Sequence, residues 1–78
     1  MAFEFREFQL RDDFIELHKL LKLEDFASSG GEAKALVASA LVQVNGETET
    51  RKRRKLVLGD EVMIREGERR VCIMLTRY

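Results

Sequence analysis

Five consecutive bases, Arg51, Lys52, Arg53, Arg54 and Lys55, are the densest concentration of chemistry in this sequence. Arginine carries a planar fork that grips phosphate with two parallel hydrogen bonds and stacks on nucleobases, and lysine adds a compact point charge. A run of both suits a polyanion, because each neutralised phosphate releases condensed counterions. Taken as an extended segment, the run points Arg51, Arg53 and Lys55 one way and Lys52 and Arg54 the other. Bases on both faces cannot be buried, so the run must form an exposed loop or edge. A solvated loop and a polyanion site account for the run equally well when it is taken alone.

Nucleophilic chemistry has little to draw on. Cys72 and His18 are the only residues of their types. One cysteine forms no internal disulfide, and one Cys with one His cannot close a zinc site. Cys72 falls in an alternating apolar run and reads as a small core residue. His18 lies off the apolar stripe of its helix and reads as a surface residue. No plausible acid–base pair is present, so no enzyme, catalytic residue, metal or cofactor is expected.

The chain has 78 residues and a formal net charge of zero. That length makes a single domain over residues 1–78, with a small core that buries only roughly 60% of the unfolded surface. The zero hides an asymmetry. Residues 1–50 hold five Lys/Arg and ten Asp/Glu, and residues 51–78 hold nine and four. A basic half beside an acidic half points to a polyanion partner for one part of the surface. No apolar run approaches the ~18 residues of a membrane span, and the charged N-terminus is no secretory signal. A cytoplasmic protein without a membrane partner is the expectation.

The elements around the run follow from spacing. Phe3, Phe5, Phe8 and Leu10 alternate with polar residues apart from a slip at Glu7, which predicts a strand with a bulge and inward-facing rings. Asp13 with Glu16 predicts a capped helix carrying Phe14, Leu17, Leu20 and Leu21, with Lys19 and Lys22 near its C-terminal end. Ser29 and Glu32 make a capping box for a second helix with Ala33, Leu36, Val37, Ala40 and Leu41 on one stripe and Lys34 outside it. Val42 to Val44 predict a strand ending in an Asn45–Gly46 hairpin turn, and Glu47 to Thr50 a polar return. Leu56 to Leu58 return to the core. Gly59–Asp60 and Glu66–Gly67 mark turns around a strand begun by Val62, Met63 and Ile64. Val71, Ile73 and Leu75 then predict a last strand, pairing with the first.

Residues 14–64 resemble the αL RNA-binding motif of the S-four domain family. The resemblance rests on Ser29, Ala33, Leu36, Val37, the segment Val42-Gln43-Val44-Asn45-Gly46 and the segment Gly59-Asp60-Glu61-Val62. Ser29-Gly30-Gly31-Glu32-Ala33-Lys34, with Arg51 to Lys55 and Leu56, looks most like the small stand-alone bacterial members. Two departures stand out: Gly30 occupies a position where many members have Arg, and Ala40 one where many have Gly. The resemblance implies an α+β fold, a two-helix αL hairpin packed on a small mostly antiparallel sheet, with the terminal strands flanking it.

It also implies non-catalytic recognition of structured RNA, ribosomal or transfer RNA, through the helix hairpin and the basic loop. The expected RNA-binding residues are Lys22, Ser29, Gly30, Gly31, Lys34 and Arg51, Lys52, Arg53, Arg54 and Lys55. Lys34 matches a usually basic position, and the loop replaces the missing arginine. Gly30 and Gly31 leave room for a phosphate at the free N–H groups of a helix start, or simply reverse the chain. Ribosome association and a monomer are expected. An unpaired strand fits less well, because only Phe26 and Tyr78 lie outside the predicted strand and first helix as aromatic platforms. The alternative is a protein-interaction module docking its basic loop on an acidic partner.

Overall fold

The computed structural model describes residues 2–77. Strand β1 (Ala2–Gln9) leads through a two-residue strand β2 (Ile15–Glu16) into helix α1 (Leu17–Leu23) and helix α2 (Gly30–Ala38). Strands β3 (Val42–Val44), β4 (Glu47–Thr48), β5 (Lys55–Leu56), β6 (Glu61–Glu66) and β7 (Arg69–Thr76) follow. Five strands form one sheet in the order β1-β7-β6-β3-β4, and β2 pairs with β5 apart from it. All neighbours are antiparallel except β1 and β7. This is the α+β fold expected, with the first and last strands paired.

One face of the sheet is sealed by the helices. Leu17, Leu20 and Leu21 of α1 and Ala33 and Val37 of α2 are buried against Val42, Val44, Val62, Ile64, Val71, Ile73 and Leu75. Such burial is the main favourable term in a domain this small. Asn45 (φ 53°) and Gly46 (φ 85°) both adopt the left-handed conformation a two-residue hairpin turn requires. The Asn45 amide then donates to Asp60 at 3.0 Å while its oxygen accepts from the Glu61 N–H at 3.0 Å. The two halves of the family signature, Asn45-Gly46 and Gly59-Asp60, therefore clasp each other and hold β3 on β6.

Several expectations fail for identifiable reasons. The register of β1 on β7 runs unbroken from Ala2 to Gln9, so there is no bulge. Phe3 and Phe5 point away from the helices, and only Phe8 and Leu10 turn inward with Glu4 and Arg6. Arg6 explains the choice: it pairs with Glu4, reaches the Glu24 carbonyl at 3.3 Å and lies 5.2 Å from the Phe26 ring centroid. Helix α1 starts at Leu17, and neither Asp13 nor Glu16 caps it with a side chain. The carbonyls of Arg54 and Lys52 accept from the N–H groups of Leu17 and His18, both at 2.9 Å, and so replace the cap. Val57 and Leu58 are exposed, leaving Leu56 alone to return to the core. Helix α2 ends at Ala38, with Ala40 at φ 61° in a Schellman closure: Leu41 N–H bonds Leu36 carbonyl and Ala40 N–H bonds Val37 carbonyl. Tyr78 lies outside the described residues.

Candidate nucleic-acid interface

The basic loop is built around a residue that composition does not single out. Glu49 continues the hairpin, its N–H donating to the Val42 carbonyl at 3.0 Å. Its side chain is only 6% exposed. The carboxylate accepts from Arg51 Nε and Nη2 at 3.0 Å, from the Arg51 backbone N–H at 2.9 Å and from Arg54 Nη1 at 2.9 Å. The hydrogen bonds from Arg51 outweigh the cost of burial and, with Arg54, hold the Glu49 carboxyl at about 2. One buried acid thus folds two arginines and a turn into a fixed shape.

The same loop is anchored to the helices through its backbone. The Lys52 and Arg54 carbonyls that close the start of α1 tie the loop to the core, since Leu17 is fully buried. Pairing of Ile15 with Leu56 and Glu16 with Lys55 holds its far end. Lys55 places its ammonium 4.8 Å from the Phe14 ring centroid. The Glu16 carboxylate accepts a hydrogen bond from the His18 ring at 2.8 Å. That contact, assisted by the charges of Lys19 and Arg53, lowers the Glu16 carboxyl. His18 is therefore a partly covered member of this junction and not the plain surface residue expected.

The run is not extended. A turn at Lys52–Arg53 gathers Arg51, Arg53, Arg54 and Lys55 around one shallow basin and leaves Lys52 to its side. Arg51 and Arg54 spend part of their donors on Glu49, while Lys52 and Arg53 have no ion-pair partner among the described residues. A larger groove of about 750 Å³, between the end of β1 and α1, adjoins the loop through Phe14.

The start of α2 is put together differently. Ser29 caps it as expected, its Oγ accepting from the Glu32 N–H at 3.2 Å. Glu32 does not return the bond; its carboxylate takes the Ser28 hydroxyl. Gly30, Gly31 and Lys34 are exposed, as is Lys22 in the last turn of α1. Neither glycine has positive φ, a Cβ at Gly30 would meet nothing within 4 Å, and at Gly31 only Ser29 Oγ at 3.8 Å. The protein's own packing therefore requires glycine at neither position. No hydrogen bond or ion pair among the described residues joins Lys34, Lys22 or the Gly30–Gly31 turn to the basic loop.

Cys72 is buried on the sheet face opposite the helices, not in the main core, and its thiol donates to Glu61 Oε1 at 3.2 Å. Burial, reinforced by Glu61, pushes that thiol up to about 11, far from a reactive thiolate at neutral pH. Among the described residues no three His, Cys, Asp or Glu side chains are placed to hold a metal ion, and no helix is long and apolar enough to cross a membrane.

Glu49 went unnoticed in the sequence as an organiser. A signal existed: Glu49 stands two residues before Arg51, in a polar return strand that also carries Glu47.

Comparison with known proteins agrees with the architecture. The chain is 50% identical over 48 residues to "Putative RNA-binding protein YbcJ" of Escherichia coli strain K12, covering 62% of this chain and 69% of that protein. It is 44% identical over 52 residues to "Probable ribosome maturation protein RlbA" of Bacillus subtilis strain 168, covering 67% and 73%. The family model described as S4 domain matches residues 8–72, which takes in both helices, the Asn45–Asp60 clasp and the basic loop. On that match this chain belongs to the S4 domain family.

Proposed function

We propose that this protein binds structured RNA without catalysis, through its basic loop and helix hairpin, and that the RNA is ribosomal or transfer RNA. The observation that carries the reading is the loop held by Glu49. A buried carboxylate fixes Arg51 and Arg54, the loop backbone is bonded to the start of α1, and the side chains of Arg53 and Lys52 have no ion-pair partner among the described residues. A solvated loop needs no such internal framework. A phosphate site benefits from it, because the ordering of long side chains is completed before RNA arrives. Lys22, Ser29, Gly30, Gly31 and Lys34 form the second part of the proposed surface. The bare backbone of Gly30 and Gly31 allows a phosphate or sugar close to the N–H groups opening α2.

The names of the two relatives, one an RNA-binding and one a ribosome maturation protein, support the same reading and suggest ribosome association in the cytoplasm. The protein is proposed to act as a monomer.

The test is the salt dependence of binding to a structured RNA. The three bases not bonded to Glu49, namely Lys52, Arg53 and Lys55, give a slope of log K against log salt of about −2 to −3 at roughly 0.7–0.9 per phosphate. Replacing these three by alanine should flatten the slope by about the same amount. A slope unchanged by the triple variant would make the loop a solvated surface. RNA that co-purifies and is lost on nuclease treatment supports the reading, whereas protein partners that survive nuclease favour an acidic protein as the loop's ligand.

A further inference from the structure

The face of the sheet turned away from the helices carries two phenylalanines in water. Phe3 is 61% and Phe5 59% exposed, both on β1, an edge strand of the five-stranded sheet. Side-by-side residues in a sheet share a face. Phe3 therefore lies beside Arg70, with Arg65 next in the row, and Phe5 lies beside the buried Cys72, with Met63 next. Arg65 and Arg70 have no ion-pair partner among the described residues, whereas Arg6, Arg51, Arg54 and Arg69 each have one. Two guanidiniums without an ion-pair partner thus lie in the row of Phe3; the nearby acids are Glu7, Glu61, whose carboxylate reaches the Cys72 thiol beside Phe5 at 3.2 Å, and Glu68, which lines a shallow pocket with Arg65 and Arg70.

We infer that this open face is a second RNA site, one that takes unpaired nucleotides by stacking bases on Phe3 and Phe5 and holding their phosphates with Arg65 and Arg70. The inference rests on the RNA-binding reading above but uses the opposite side of the sheet from the loop and helices. The expectation against an unpaired strand assumed that the phenylalanines were buried, and that assumption fails. Phe3 and Phe5 stand about 6.6 Å apart along the strand, at roughly 3.3 Å per residue, a separation that splayed neighbouring bases can span. Aromatic side chains on an exposed sheet stack two or three bases in a common class of RNA-binding module, and stacking tolerates any base. Charge complementarity separates this occupant from an apolar peptide: arginines beside the rings supply what a phosphate backbone needs. A structured RNA with a single-stranded extension could then be held on both sides of the sheet.

The experiment compares one RNA hairpin in two forms, blunt and with a short unpaired uridine tail, by fluorescence anisotropy at fixed salt. The tail should raise the affinity of the wild type by about tenfold, within the range expected for one or two stacked bases. The Phe3→Ala, Phe5→Ala double variant should lose that gain and keep its affinity for the blunt hairpin. Phe5→Trp should keep the gain and show indole emission quenched by the tailed RNA only. Equal affinity of the wild type for both hairpins, or a tail gain that survives the double variant, would overturn the inference. If the tailed RNA binds and the blunt one does not, the inference stands and the loop reading falls. Sedimentation that shows a wild-type dimer abolished by the double variant, with no tail gain, would assign this face to a second copy and overturn it as well.

Discussion

The basic loop and the start of α2 are the two parts of the proposed RNA surface, and they are constructed on opposite principles. The loop is internally braced: Glu49 is buried, bonded to Arg51 and Arg54, and continuous with backbone bonds into α1. The start of α2 is a cap and two glycines that nothing in the protein touches closely. A braced loop holds charge at fixed points before any ligand arrives. A bare turn offers only access. Affinity should therefore depend more steeply on the loop, and the fit of the RNA on the turn.

The largest expected effect breaks the brace by acid. In the unfolded chain the Glu49 carboxyl takes up a proton near its ordinary value of 4.5, while in the fold it resists until about 2. Between those values the unfolded state binds more protons, so stability is complete above about pH 4.5 and falls as pH drops toward 2. Allowing for the solvent exposure of Arg51, the loss is about 1–3 kcal/mol. Glu49→Gln should lack this part of the acid dependence, measured by urea unfolding at pH 7 and pH 3. Identical acid losses in variant and wild type would mean that Glu49 braces nothing.

A second measurement weighs the two regions directly. Arg53→Glu should weaken binding of a structured RNA by about tenfold or more, the scale of one lost charged hydrogen bond. Lys34→Glu should cost roughly a few-fold, as for an exposed charge without a framework. Equal losses would show that net charge alone governs binding. Lys19, on α1, is a poor control for Lys34, because it acts with Arg53 on Glu16 and so belongs to the loop's own surroundings.

The smallest effects are at the two ends of α2. Gly30→Ala should stabilise the protein by about 0.5–1 kcal/mol, since the added methyl meets nothing and glycine disfavours a helix. Ala40→Gly should stabilise it by about as much, because Ala40 is held at φ 61° in the closing turn. Thermal or urea unfolding reads both. If Gly30→Ala stabilises the fold yet weakens RNA binding, the bare turn is there for the ligand; if binding is untouched, the turn is only a chain reversal.

Much of this was legible in the sequence, where local chemistry decides the outcome. Ser29 announces α2, Asn45–Gly46 announces the hairpin, and bases on every side force Arg51 to Lys55 to the surface. What the sequence hid depends on distant partners. The alternation of Phe3, Phe5 and Phe8 shows a strand but not which face the helices cover. That choice is made by Arg6, which reaches Glu24 and Phe26 at the far end of α1. Likewise α1 looked capped by Asp13 because the carbonyls of Lys52 and Arg54, which close it, come from more than thirty residues away. Glu49 was hidden for the same reason, since its role exists only once the hairpin turns its side chain toward the loop.

The central claim is that Glu49 shapes the basic loop for phosphate, and one titration addresses it most directly. The same structured RNA is titrated at one salt concentration against wild type and Glu49→Gln. The variant removes a negative charge and releases donors of Arg51 and Arg54, so charge alone predicts tighter binding. A braced loop predicts the reverse, a several-fold loss of affinity despite the added positive charge, because the arginines must now be ordered when RNA binds. Tighter binding by Glu49→Gln would contradict the account.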